Sequence, residues 1–407
     1  MSSTFDVDAV RSRFPALTRI EKGHPAAYLD GPGGTQVPHE VIEAMAAPLH
    51  AGVSNLGGGY GPSDDAVRIT ADARSAAASL INADAGEISF GQNMTSLTFA
   101  MSRALAATWS TGDAIVVTNL DHDANHTPWV MAARDVGVDV RLAEFDSATG
   151  LLGPEAVAET LDDRVRLVAV CLASNAIGTV VDVATITRAA HEVGALVYVD
   201  AVHAGPHRLI DVMALDCDFL TASAYKFFGP HIGMLYGKRE HLASLEAYKV
   251  RPAPSDPPGK WETGTQSFES LAGFTAAVDY VASLGAGLGR ASIESAFTRI
   301  AGHERFLGSR FIDGIAEMGH VRLHGVPTMS ETRVATFAIA VEGRHPDAVA
   351  AHMIEHGIYV WSGHYYAVNA MERLGVLDSG GLVRIGFVHY NTAEEVDRVL
   401  EVLSGLG

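Results

Sequence analysis

A lysine set among aromatic residues at the end of an apolar run is the first feature of this chain that could do chemistry. Lys226 stands in TASAYKFFGPHIGMLYG, beside Tyr225 and shortly after Ser223. Burying an ammonium is costly unless it is neutralised or paired. A desolvated lysine loses its proton more readily and becomes a nucleophile toward an aldehyde. The plainer alternative is a lysine that reaches along the surface to solvent. A second apolar run, VYVDAVHAGPH, ends at Asp200 and continues to His203 and His207. A carboxylate there could ligate a metal with the histidines, act as a base, or pair with a cationic ring nitrogen. The metal reading is weakened because these three residues lack the HExxH helix pattern.

Four further segments carry weaker signals. In FGQNMTSLTFA, Thr95 and Ser96 open a helix, where free amide groups and hydroxyls can hold a phosphate. Ser and Thr also cap ordinary helices, so this alone decides little. In TNLDHDANHTPW, His122 follows a strand and could stack on a planar ring; His126 and Asp123 offer a competing metal reading. Asn175 in LASNAIGTVVDV could donate to a phenolate or a carboxylate. Arg384, inside the apolar run of VRIGFV, is a natural fork for a substrate carboxylate, or else an edge-strand surface residue.

The elements that must position these groups follow from hydrophobic spacing. From about residue 87 onward, short apolar runs (EISFG, AIVVTNL, DVRLAEF, RLVAVCLA, LVYVDAV, FLTASAY, GMLYG) alternate with amphipathic helical segments. Such alternation predicts an α/β fold with a mostly parallel central sheet covered by helices on both faces. Ligands of these sheets sit beyond the carboxyl ends of the strands, and the motifs above fall at strand ends. Upstream, a helix is expected over Val7 to Phe14 and a strand in AAYLD, ending at Asp30. Downstream, a helical tract is expected from Ser267 to Met318, then an α+β subdomain with strands RVATFAIAV and LVRIGFV. The expected division is residues 1–30 as a segment packing with the small domain, 31–285 as the large domain, and 286–407 as the small C-terminal domain.

Composition narrows the class. The 407 residues are 48% hydrophobic and 19% charged, which suits a packed protein of more than one domain. A formal net charge of −19 disfavours nucleic acid and anionic membranes as general partners. No uncharged apolar stretch is long enough to span a bilayer, and the N-terminus lacks an apolar signal core. Cys171 and Cys217, each in an apolar run, read as buried thiols, and their isolation fits a reducing, cytoplasmic setting.

Thr95, His122, Asn175, Asp200, Ser223 and Lys226 follow one another at strand ends of a single α/β unit. This order resembles the class V aminotransferase family of fold-type I enzymes that use pyridoxal 5′-phosphate (PLP). Within it, the chain is similar to cysteine desulfurases and selenocysteine lyases along nearly its whole length. The resemblance implies that Lys226 holds the cofactor as a Schiff base and then shuttles the substrate proton. It implies that Asp200 pairs with the pyridine nitrogen, keeping the ring able to accept electrons, and that His122 stacks on the ring. Catalysis is thus expected at Lys226, His122 and Asp200. His203 would lie near the ring hydroxyl; Thr95, Ser96, Ser223 and Tyr225 would hold the phosphate. Thr265, in WETGTQS, matches a residue that reaches the phosphate of a neighbouring subunit, implying a homodimer with shared sites. Arg384 would bind the α-carboxylate, with Asn175 beside it and the cofactor oxygen. No metal is expected.

One loop departs from the pattern. Desulfurases carry a nucleophilic cysteine in a segment like R-x-G-H-H-C-A, whereas this chain reads Trp361-Ser362-Gly363-His364-Tyr365-Tyr366-Ala367. Tyr366 takes the cysteine's place, and a phenol cannot carry sulfur as a persulfide. Trp361, His364, Tyr365 and Tyr366 would instead line a bulky, aromatic mouth. The expected reaction is α,β-elimination by a C–S lyase on an amino acid, without a persulfide. An aminotransferase or epimerase on the same scaffold is the alternative, and a protein that binds PLP without catalysis is an alternative of another class.

Overall fold

The run VRLVAVC, Val165–Cys171, is buried along nearly its whole length, as a strand covered on both faces must be. It lies near the middle of the larger sheet of the computed structural model, which describes residues 5–407. The strands of that sheet are β1 (Ile88–Gly91), β2 (Ala114–Thr118), β3 (Asp139–Ala143), β4 (Val165–Cys171), β5 (Leu196–Asp200), β6 (Phe219–Ser223) and β7 (Gly233–Gly237). Their spatial order is β1-β7-β6-β5-β4-β2-β3. All neighbours are parallel except β7, which runs antiparallel to both β1 and β6. A crossover to a parallel strand needs a dozen or more residues, and the link from Ser223 to Gly233 is too short for one.

Register brings the chemistry-bearing residues to one edge. Asp200 lies opposite Cys171 and Thr221, and Ser223 lies opposite Gly233. Gly233 in turn faces Gly91 on β1. The helix α1 (Met94–Ala106) springs from this edge directly after β1. Its N-cap is Asn93, whose side-chain oxygen accepts from the Ser96 N–H at 2.9 Å.

A second, four-stranded sheet is antiparallel: β8 (Val321–His324), β9 (Thr336–Val341), β10 (Trp361–Gly363) and β11 (Leu382–Gly386), in the order β8-β9-β11-β10. It packs on helices Arg290–Ala316 and Ala393–Ser404 through Phe337, Ile385, Phe311 and Val399. Ala27 and Leu29 belong to the same core, and Asp30 bridges to Gly386. Thus the chain's beginning is tied to the strand that carries Arg384.

Three local expectations are corrected. The N-terminal helix stops at Arg11, because Phe14 precedes a proline and takes an extended conformation. The AAYLD strand shrinks to Ala27–Tyr28, paired in parallel with Ile358–Tyr359. The tract from Ser267 to Met318 is two helices, Phe268–Ser283 and Arg290–Ala316. Between them Gly287 and Gly289 take φ of 103° and 56°, which a continuing helix cannot accommodate.

Candidate active site

The strand-edge residues surround a cavity of about 700 Å³. Lys226 follows the end of β6 in a single 3₁₀ turn, Ala224–Lys226, which turns its side chain into the space above Asp200. Nζ donates to the Pro32 carbonyl at 2.5 Å, a contact across 194 positions of sequence. Burial, aided by the Arg384 cation, lowers the Lys226 pKa to about 7; the Asp200 and Asp30 carboxylates oppose that fall. A large fraction of the amine is therefore neutral near neutrality, the state a nucleophile or base requires.

Asp200 is 5% exposed and accepts from the Val202 N–H at 2.8 Å through Oδ1. Burial raises it to about 6, against the pull of that hydrogen bond and of Lys226. A permanent cation placed beside it would relieve the cost of its burial. Beneath it lies a second carboxyl, Asp121, which accepts from the Thr118 hydroxyl and, at 2.7 Å, from Asn125 Nδ2. Burial, with the Asp200 charge added, pushes Asp121 up to about 7. Trp129 Nε1 donates to Asn125 Oδ1 at 3.0 Å, so this network ties Asp121 into the apolar core.

His122 stands on the opposite wall. Its Nδ1 accepts from the Ala124 N–H at 3.0 Å, which leaves any ring proton on Nε2. Burial, then the Lys226 and Arg384 charges, lowers its pKa to about 4, so the ring that lines the cavity is neutral. His203 lies on the floor with Nε2 3.0 Å from Thr336 Oγ1. At the far end, Thr95 and Ser96 expose their hydroxyls at the positive pole of α1. There the Met94 N–H donates to Ser223 Oγ at 2.9 Å, joining the helix start to β6. Tyr225 stacks on His231, with ring centroids 4.9 Å apart and planes 11° apart.

A second cavity of about 590 Å³ opens outward from the first and shares Lys226, His122 and Asn175 with it. Arg384 reaches it from β11. Only 4% exposed, Arg384 donates through Nη1 to the Asn175 carbonyl at 3.0 Å, while its Nε has no partner among the described residues. The guanidinium lies 4.5 Å from the Tyr365 ring centroid. Asn175 Nδ2 donates to the Tyr365 carbonyl at 2.9 Å, leaving its buried Oδ1 without a partner among the described residues. A buried arginine with unused donors is poised for a carboxylate.

Most residues singled out in the sequence meet around these two cavities. Trp361, His364, Tyr365 and Tyr366 line the outer one, but Tyr365 turns its hydroxyl away, donating to the Leu382 carbonyl. Thr265 stands apart, on an exposed loop, and lines neither cavity. Both thiols are buried, and Cys171 is held well above the usual thiol range by burial and by Asp121 and Asp200. Sequence reasoning passed over Asp30 and the role of the Pro32 carbonyl. Asp30 is raised to about 6 by burial, and its Oδ1 has no partner among the described residues. The only hint in the sequence was a carboxylate ahead of the glycine-rich turn GPGG.

Comparison with known proteins gives the family and the fold. The Aminotransferase class-V family profile matches residues 27–399. A cysteine desulfurase of Dickeya dadantii (strain 3937) is 31% identical over 97% of this chain and 95% of its own length. The aminotransferase-like protein FGM3 of Gibberella zeae is also 31% identical, over 99% of this chain and 98% of its own. Among solved structures, the apo cysteine desulfurase of Thermococcus onnurineus NA1 superposes with a TM-score of 0.90 at 27% identity, covering 100% of this chain and 99% of that one. The residues present fit PLP: a desolvated amine for its aldehyde, a buried carboxylate for its ring nitrogen, a neutral imidazole for its face and a helix N-terminus for its phosphate. The unpartnered buried Oδ1 of Asn175 and Nε of Arg384 leave further polar capacity beside it. The chain belongs to the class-V aminotransferase family, whose fold it shares with cysteine desulfurases, and it is a PLP-dependent enzyme.

Proposed function

We propose that this enzyme carries out α,β-elimination on an S-substituted amino acid, cleaving the Cβ–S bond without passing sulfur to a protein thiol. The observation that carries the reading is the loop at the mouth, where Tyr366 stands in place of a cysteine while both thiols of the chain are buried. With no reachable thiolate, sulfur can leave only on its own substituent or as sulfide.

Lys226, Asp200, Thr95, Ser96, Ser223 and Tyr225 would hold PLP, which when bound supplies an electron sink for charge developing at Cα. The protein's own groups do the rest. Arg384 takes the α-carboxylate through its unused donors, with Asn175 beside it. That contact fixes Cα over the Lys226 amine. Lys226, near neutral pH, accepts the Cα proton and can return it to the departing sulfur. Asp200, with a pKa of about 6, would be ionised near neutrality to pair with the ring nitrogen, and His122 would cover a face of the ring and keep water from it. In balance, one amino acid and one water give a thiol, ammonia and a keto acid.

The test is incubation of the PLP-loaded enzyme with a panel of cysteine conjugates. Thiol, ammonia and keto acid should appear in equal amounts. Amino-group transfer to a keto acid without thiol would move the enzyme to the aminotransferases. Solvent deuterium at Cα with no elimination would make it an epimerase. A spectrum indifferent to every amino acid would leave a non-catalytic PLP-binding protein.

A further inference from the structure

We infer that the outer cavity selects substrates whose side chain ends in an aromatic ring, and that Tyr366 is the residue that makes the selection. The inference rests on the elimination reading only in placing that ring on the sulfur.

Arg384 holds the carboxylate and Lys226 faces Cα, and both line the outer cavity. The space beyond them is walled by Phe99, Trp361 and Tyr366. Trp361 and Tyr366 are 54% and 67% exposed and line the same mouth, so together they offer an entering side chain an apolar surface. The Tyr366 ring lies nearly parallel to His122, with centroids 5.5 Å apart and planes 16° apart. The two rings are stacked on one another, and the pair carries an aromatic wall from the cofactor side of the site to its mouth.

This wall is fixed in place. Tyr365 and Tyr366 both take left-handed backbone conformations, with φ of 53° and 59°, which residues with a β-carbon avoid. Contacts from the large domain hold them there. The Asp123 N–H donates to the Tyr366 carbonyl at 2.6 Å, and Asn175 holds the Tyr365 carbonyl. Within the loop, the Tyr366 N–H donates to His364 Nδ1 at 3.1 Å. A loop pinned on both sides presents a preorganised ring rather than a swinging one, so stacking on it costs little ordering entropy. Flat, polarisable groups gain most from such a surface. Asp123 is the competing feature: its carboxylate lines the same mouth and would favour a cationic side chain, but Oδ1 already accepts from the Thr127 hydroxyl at 2.9 Å.

Two readouts test this on the PLP-loaded protein. The first compares kcat/KM for S-phenyl-, S-hexyl- and S-aminoethyl-cysteine. The second follows the visible spectrum during titration with phenylalanine, norleucine and lysine, which needs no elimination. The aryl compound should lead in both. Tyr366→Ala should cut its advantage about tenfold, mainly through KM, while Tyr366→Phe keeps it and Tyr366→Leu does not. Equal affinity for aryl and alkyl side chains, or preference for the cationic one, would overturn the assignment. If no conjugate is cleaved, the elimination reading fails, yet the titration still decides the selection of the aromatic side chain.

Discussion

At Lys226 opposing effects set the proton affinity. Burial and the Arg384 cation pull it down, Asp200 and Asp30 hold it up, and the amine settles at about 7. An ammonium cannot attack an aldehyde, so capture of PLP by the apo-protein should be slow below that pH, rise as pH passes through about 7, and level off above. Stopped-flow absorbance across a pH series reads this directly. Removing the Arg384 cation takes away a force that lowers the pKa, so Arg384→Gln should move the midpoint to higher pH. Asp30→Asn should move it to lower pH. Arg384→Gln should also raise KM for a turned-over amino acid about 10- to 100-fold, the worth of hydrogen bonds to a charged group, with a smaller change in kcat. At this scale the sequence was informative. Lys226, Asp200 and His122 stood out because charged or polar side chains interrupt apolar strand ends. Asp30 did not, because its significance comes from neighbours that only folding supplies.

The elements place these groups through close backbone approaches that leave little tolerance. Gly233 on β7 is the clearest case, since a β-carbon there would lie 2.5 Å from the Asn93 carbonyl carbon, at the start of α1. Gly233→Ala must push the helix N-terminus away from Ser223. It should cost about 1–3 kcal/mol of stability, read by chemical denaturation. It should also weaken PLP binding, read by equilibrium dialysis, more than the stability loss alone explains. The alternation of strands and helices made the parallel part of the sheet legible, because period and run length carry that information. A mostly parallel sheet left open which strand is reversed, although the short connection AYKFFGPHI ahead of β7 pointed to it. The break after Ser283 was hidden by apolar spacing that persists on both sides of SLGAGLGR.

For the whole molecule, the region beside the active site looks outward. A groove of about 830 Å³ reaches from Tyr225 and His231 to Ile42, Met45 and Leu49 on the helix His39–Ala51. Ile42 and Leu49 are 48% and 62% exposed. Thr265, on an exposed loop away from both cavities of its own chain, would reach an active site only in a homodimer with shared sites. Sedimentation should find a dimer. Mixing inactive Lys226→Ala with Thr265→Ala after subunit exchange should restore activity above that of either alone, because one hybrid site is intact. No gain over either parent would argue that each chain is self-sufficient. Assembly was the least legible property, since a single chain's sequence does not say which exposed apolar side chains meet a copy. The account as a whole depends on one amine holding one aldehyde. Borohydride treatment of the PLP-loaded protein, followed by peptide mapping, should place the reduced cofactor on Lys226 and nowhere else, and Lys226→Ala should carry none. A label on another lysine, or none on the wild-type protein, would contradict it.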